Sequence, residues 1–287
     1  MSAFRFPPRR ILVGVDMSET SLSAWRHAEA WAGRFGSQLK AVHALCPQPL
    51  EIPSVPRVPG GAAALAEDLR EEFRARVGAE LEVLEGDSEI TLLRIARSWK
   101  ADLLIVGTHG RSGLTRILLG SVAEAIVLQS PLPVLVVHED PNPIRSVLAP
   151  VNFTAYGDQA LRYAGLVASS LDAKLVAQHV VTPGEDFGAT RVRLERELEA
   201  LPPGIRSGCA PRGVMSRGTP VDSIARSSGA YDLVVMSGHH KGFLRDLLVG
   251  TTAQQLLRAA KTPILVVPAT ESVKRDMPKE FRLAPAW

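Results

Sequence analysis

The sequence predicts an α/β protein of two similar halves, each a doubly wound α/β sandwich built on a five-stranded parallel sheet. Three observations carry this reading. The chain repeats itself, short Ile-, Leu- and Val-rich runs alternate with amphipathic helical patterns, and those runs are continuously apolar rather than alternating. Continuous apolar runs suit strands buried on both faces, and regular strand–helix alternation implies parallel strands joined by right-handed crossovers.

The repeat is direct. Residues 10–45 (RILVGVDMSETSLSAWRHAEAWAGRFGSQLKAVHAL) align with 146–181 (SVLAPVNFTAYGDQALRYAGLVASSLDAKLVAQHVV) at an offset of 136. Asp16 then falls on Asn152, Ala28 on Ala164, Ala32 on Ala168 and His43 on His179. Further on, ADLLIVGTHG (101–110) aligns with YDLVVMSGHH (231–240) and PVLVV (133–137) with PILVV (263–267), now at an offset of 130. The polar, proline-broken stretch HEDPNP (138–143) suits a linker. The expected domains are residues 1–140 and 144–269, with a tail at 270–287.

In the first half, strands are expected at 11–15, 40–45, 102–106 and 133–137, with a further strand in the middle of the pattern. Ala24, Ala28, Trp31, Ala32 and Phe35 share one helical face, and Leu65, Leu69, Phe73 and Val77 recur every fourth residue. Ser18, with Ser21 nearby, is placed to cap the first helix, and Asp87 or Ser88 the helix leading to Ile95. In the second half Leu194, Leu198 and Leu201 mark a helix that Pro202-Pro203 should stop. The proline-rich stretch 46–68 reads as an exposed connector or as a lid over the site.

Composition narrows the partners. With 46% hydrophobic and 22% charged residues and a net charge of +3, the chain reads as globular, and no concentrated basic face points to nucleic acid. The two cysteines, Cys46 and Cys209, stand far apart in no metal-binding or redox spacing. The N-terminal apolar run is too short for a signal peptide, and no segment approaches the roughly 18 apolar residues of a membrane span. The expectation is a cytoplasmic protein with no membrane partner.

In such sheets ligands lie beyond the carboxyl ends of the strands, where strand order reverses. Asp16 closes the first strand, and the loop GTHGRSGLTRILLGS (107–121) follows the fourth. Gly120-Ser121 opens a helix, so backbone N–H groups and a helix dipole face the loop, a setting suited to phosphate or to plain turn geometry. Neither the P-loop nor the dinucleotide fingerprint is present. The counterpart loop SGHHKGFLRDLLVGT (237–251) has Ser237 and His240 in place of Gly107 and Gly110. Its survival without them suggests that a ligand, not the fold, requires those glycines.

The spacing Gly107-x2-Gly110-x9-Gly120-Ser121, with ADLLIVG before it, SPLPVLVV after it and the opening ILVGVDMSETS, resembles the universal stress protein family over both repeats. The resemblance implies a Rossmann-like fold and ATP binding in the first repeat, with AMP or ADP as alternatives and Mg²⁺ alongside. It implies that Asp16 meets the ribose or adenine, that main-chain groups of Ala44 meet the base, and that Gly107, Gly110, Gly120 and Ser121 wrap the phosphates. Arg111 has side-chain chemistry suited to a phosphate. The second repeat, with Asn152 for Asp16, is expected not to bind ATP but to complete an intramolecular pseudo-dimer through the terminal strands; a homodimer is the alternative. The implied role is regulatory in a stress response. Two other readings remain open, a nucleotide-free interaction scaffold and a slow ATPase, and no catalytic residue is assigned. His43 and His179, at equivalent positions, point to a shared structural role, and no metal site is assigned.

Overall fold

In the computed structural model, described for residues 4–46, 61–108, 119–238 and 251–269, ten strands form one continuous sheet. The first repeat runs β1 (Arg10–Gly14), α1 (Glu19–Phe35), β2 (Gln38–Leu45), α2 (Gly61–Val77), β3 (Leu81–Glu85), α3 (Ser88–Ser98), β4 (Leu103–Gly107), α4 (Ser121–Gln129) and β5 (Val134–Val137). The second runs β6 (Ser146–Pro150), α5 (Ala155–Ser170), β7 (Lys174–Val181), α6 (Phe187–Glu199), α7 (Pro203–Cys209) and β8 (Arg212–Arg217). It closes with α8 (Pro220–Ser228), β9 (Leu233–Gly238), α9 (Thr251–Ala259) and β10 (Ile264–Pro268). Strand order is β3-β2-β1-β4-β5-β10-β9-β6-β7-β8.

Within each repeat every pairing is parallel; only β5 and β10 pair antiparallel. Leu135 lies opposite Leu265, its own counterpart in the repeat alignment. The two five-stranded sheets are joined into one through their terminal strands, about a local two-fold relation. The halves also meet away from the strands. Phe6 is buried edge-on against Trp31 and Phe35 of α1 and Tyr163 of α5, with ring centroids 5.5, 5.5 and 5.9 Å apart. Full burial of one such ring contributes about 1.5–3 kcal/mol.

Helices cover both faces. The core formed with α1, α2, α5, α6 and α7 lies on one side, and that formed with α3, α4, α8 and α9 on the other. The β-strands supply both layers by alternation: Ile11 and Val13 face the first, Leu12 the second. Ser18 and Asp87 cap α1 and α3 as expected, their side chains accepting from the N–H of Ser21 and Ile90.

The helical reading of 65–77 needs one correction. Leu65 is 47% exposed, and Ala66, Leu69 and Phe73 form the buried stripe instead. Pro202-Pro203 does not simply stop a helix. It starts α7, with Pro203 in the first turn, where a missing N–H costs nothing. Symmetry extends to the strand starts: Asp102 Oδ2 accepts from the N–H of Arg9 and Arg10, and Asp232 Oδ2 from those of Arg145 and Ser146.

Candidate functional site

The strand order reverses between β1 and β4, and a cavity of about 230 Å³ opens beyond their carboxyl ends. Its lining is apolar at Val42, Leu92 and Val106 and polar at Asp16, Ser21, His43, Ser88, Thr108 and Ser121. Five of the seven residues expected from sequence line it: Asp16, Ala44, Gly107, Gly120 and Ser121. Gly110 and Arg111 lie outside the described residues, as do His109, His239, His240 and the tail. Residues 47–60 of the proline-rich stretch also fall outside. The volume lies below the roughly 300–1,000 Å³ of drug-sized ligand sites.

Each lining group has a structural cause. Asp16 terminates the β1 turn. Its Oδ1 accepts from the backbone N–H of Ser18 at 3.0 Å and from the Ser18 hydroxyl, while its own N–H donates to Ser21 Oγ at 3.2 Å. Ala44 extends past the end of β1. Val42 O accepts from Val15 N on the β1 side, whereas Leu45 O accepts from Gly86 N on the β3 side. By strand alternation the main-chain groups of Ala44 point where Val42's do, into the gap left because β1 ends at Gly14. His43 is fixed by Nδ1 against Val15 O at 2.6 Å, and His179 repeats the contact with Val151 O at 2.8 Å. Both histidines tie the second strand of their repeat to the first strand's end.

Helix α4 closes the far wall. Its N-cap, Gly120, has no side chain to engage the first-turn N–H groups, and Ser121, Val122 and Ala123 line the cavity. Gly120 N donates to Thr108 O at 2.6 Å, pinning together the two ends of the intervening segment.

Gly107 corrects the argument from sequence. A Cβ there would lie 2.6 Å from the carbonyl carbon of Thr20, 2.7 Å from its oxygen and 2.8 Å from Ser21 N. The close approach of α1 to β4 leaves no room for a side chain, so the fold does require this glycine. In the second repeat serine and glycine have changed places: Ser237 stands for Gly107, and Gly157 for Ser21.

The second repeat differs at the same strand ends. Asn152 keeps the turn, with Oδ1 accepting from Thr154 N and Oγ1, but removes the negative charge. Val42 is replaced by Gln178, which is 2% exposed and donates from Nε2 to Ser216 Oγ at 2.9 Å. Gln178 Oε1 has no partner among the described residues. His179 is covered: the Phe153 ring lies 4.3 Å from it, Arg193 caps that ring at 4.5 Å, and Glu185 approaches Nε2 at 3.4 Å. The N–H and hydroxyl of Thr182 hold the Glu185 carboxyl below its ordinary value. Among the described residues, no three His, Cys, Asp or Glu side chains gather as a metal site. No helix among them is long and apolar enough to cross a membrane.

Comparison with known proteins places this architecture. The family model described as the universal stress protein family matches residues 8–138 and again 143–268. The chain is 27% identical over 284 residues to universal stress protein Rv2623 of Mycobacterium tuberculosis, covering 89% of this chain and 95% of that one. To Rv2005c of the same organism it is 30% identical over 183 residues, 58% of this chain and only 62% of that relative's length. Among solved structures, a universal stress protein from Archaeoglobus fulgidus superposes with a TM-score of 0.68 at 21% identity, over 92% of this chain and 97% of that one. At that identity the likeness shows the fold alone. The chain belongs to the universal stress protein family, carrying the matched unit twice in tandem.

Proposed function

We propose that the first repeat binds an adenine nucleotide, ATP with Mg²⁺, and that the second repeat does not. The observation that carries this reading is the convergence of four kinds of group on one cavity. Val42, Leu92 and Val106 offer an apolar bed for a base. Ala44 directs main-chain donor and acceptor groups toward it, and Asp16 supplies an acceptor for ribose hydroxyls. The first turn of α4, whose N-cap Gly120 has no side chain to engage it, supplies N–H groups for phosphate. Mg²⁺ would come with the phosphates, since the described residues hold no ligand cluster for it. In the second repeat Gln178 interrupts the apolar bed, which keeps Ile224 and Met236, and Asn152 takes the place of the carboxylate. Its part is to complete an intramolecular pseudo-dimer with the first through β5 and β10.

The proposed output is regulatory: occupancy changes what the protein associates with. The domain limits 1–140 and 144–269 and a cytoplasmic site of action belong to the same reading. Protein purified without added nucleotide and heat-denatured should release adenine nucleotide at up to one equivalent per chain, measured by chromatography. Failure to release any, together with failure to take up ATP at millimolar concentration, would leave the scaffold reading in its place.

A further inference from the structure

The first turn of α4 contains an acidic residue, Glu124, three positions after the serine that opens the helix. A carboxylate there suits the helix dipole but competes with any anion seated at the same end. Glu124 is not left to itself. Gln254 Nε2 donates to its Oε1 at 2.7 Å, and Arg258 donates to Oε1 and Oε2 at 3.0 and 3.1 Å. Both donors come from α9, in the other repeat. The Glu124 side chain is 21% exposed, so solvent screens the pair only in part.

The pairing breaks the symmetry of the repeats. Gln254 is the counterpart of Glu124, and Arg258 that of Leu128. Two copies of the first repeat joined in this way would set Glu124 against Glu124 with no cation between them. The tandem chain supplies a neutral amide and a guanidinium instead.

We propose that Arg258, with Gln254, sets the anion affinity of the first repeat by neutralising Glu124 at the N-terminal turn of α4. The inference rests on the nucleotide reading above and deepens it. The second repeat acts as a positioning and electrostatic partner to a site that none of its described residues lines. The coupling is reciprocal: an anion at α4 raises the cost of an uncompensated Glu124, and so strengthens the contact between the repeats.

The test is calorimetric titration of ATP, inorganic tripolyphosphate and adenosine into the full-length wild type, R258M, E124Q and the E124Q/R258M double variant. R258M should weaken ATP and tripolyphosphate about three- to tenfold, an effect that shrinks as salt is raised. Adenosine, which is uncharged, should bind wild type and R258M alike. The double variant should return to within about twofold of wild type, because the charge needing compensation is gone. Wild-type affinity in R258M overturns the proposal. So does a double variant as weak as R258M, or an equal loss of adenosine binding, since either assigns the effect to a loosened interface. Wild type that binds none of the three overturns the nucleotide reading itself and this inference with it.

Discussion

The two repeats share even their unusual backbone torsions, and differ most where the strands end. Met17 and Phe153 occupy one alignment position, with φ of 65° and 54°. Gly36 and Asp172 occupy another, with φ of 69° and 56°. Left-handed torsions in non-glycine residues cost of order 1 kcal/mol or more, so their retention shows that chain path, not side-chain identity, dictates these turns. At the crevice, by contrast, Asp16 becomes Asn152, Val42 becomes Gln178 and Ser21 becomes Gly157, while the cavity-lining His43 becomes the covered His179. The fold tolerates both sets. What differs is the capacity to hold a base and an anion, and that difference can be broken deliberately.

The largest effect is expected at Gly107. Gly107→Ala drives a Cβ into the Thr20–Ser21 backbone and should destabilise the protein by about 1–3 kcal/mol in denaturant melts. Gly107→Ser paired with Ser21→Gly copies the second repeat and should recover part of that loss. A Gly107→Ala protein as stable as wild type would refute the packing account.

Next comes Asp16→Asn, the second repeat's residue. Asn152 holds the same turn, so stability should change by less than about 0.5 kcal/mol. ATP affinity should fall about tenfold with the lost charge. Equal affinity would remove Asp16 from the site.

A smaller change is expected from transplanting the first repeat's apolar pair into the second. Leu84 is the counterpart of Ser216 by strand register, so the double variant Gln178→Val/Ser216→Leu replaces a buried, partly satisfied polar pair with apolar groups. It should be neutral or stabilising by about 1 kcal/mol, whereas Gln178→Val alone should do worse than the pair. The opposite ranking would show that the polar pair contributes more than its apolar replacement.

The smallest effect concerns pH. His27 and Tyr163 are counterparts, and each ties down a chain segment: His27 Nε2 the carbonyl of Glu139, and the Tyr163 hydroxyl that of Arg5. Burial holds the His27 imidazole below its ordinary value of 6.5, partly offset by the Glu139 carbonyl and the Asp140 carboxylate. The unfolded chain therefore takes up a proton first as pH falls. Stability contributed here is full above pH 6.5 and declines from 6.5 toward the lowered native value. His27→Gln should flatten that part of the stability–pH curve; an unchanged slope would clear His27 of any role in it.

Much of this architecture was legible from local pattern. The repeat, the strand–helix alternation and the Ser18 and Asp87 caps depend on neighbouring residues, and the crevice position follows from strand order. Other features depend on contacts between distant segments. The need for Gly107 arises because α1 passes against β4, and the Glu124–Arg258 pair spans 134 residues. Helix α7 is hidden in the sequence because two consecutive prolines read as a stop, although proline at the first helical turn is also a start signal. Spacing alone puts Leu65 in the buried stripe, and Ala66, one residue on, takes that place.

The central claim is that the repeats are unequal as nucleotide sites. Calorimetric titration of full-length protein with MgATP tests it most directly. The account predicts about one site per chain, lost in Gly120→Lys and retained in Gly250→Lys, the matching change in the second repeat. Two equivalent sites per chain, or one site that survives Gly120→Lys, would contradict it.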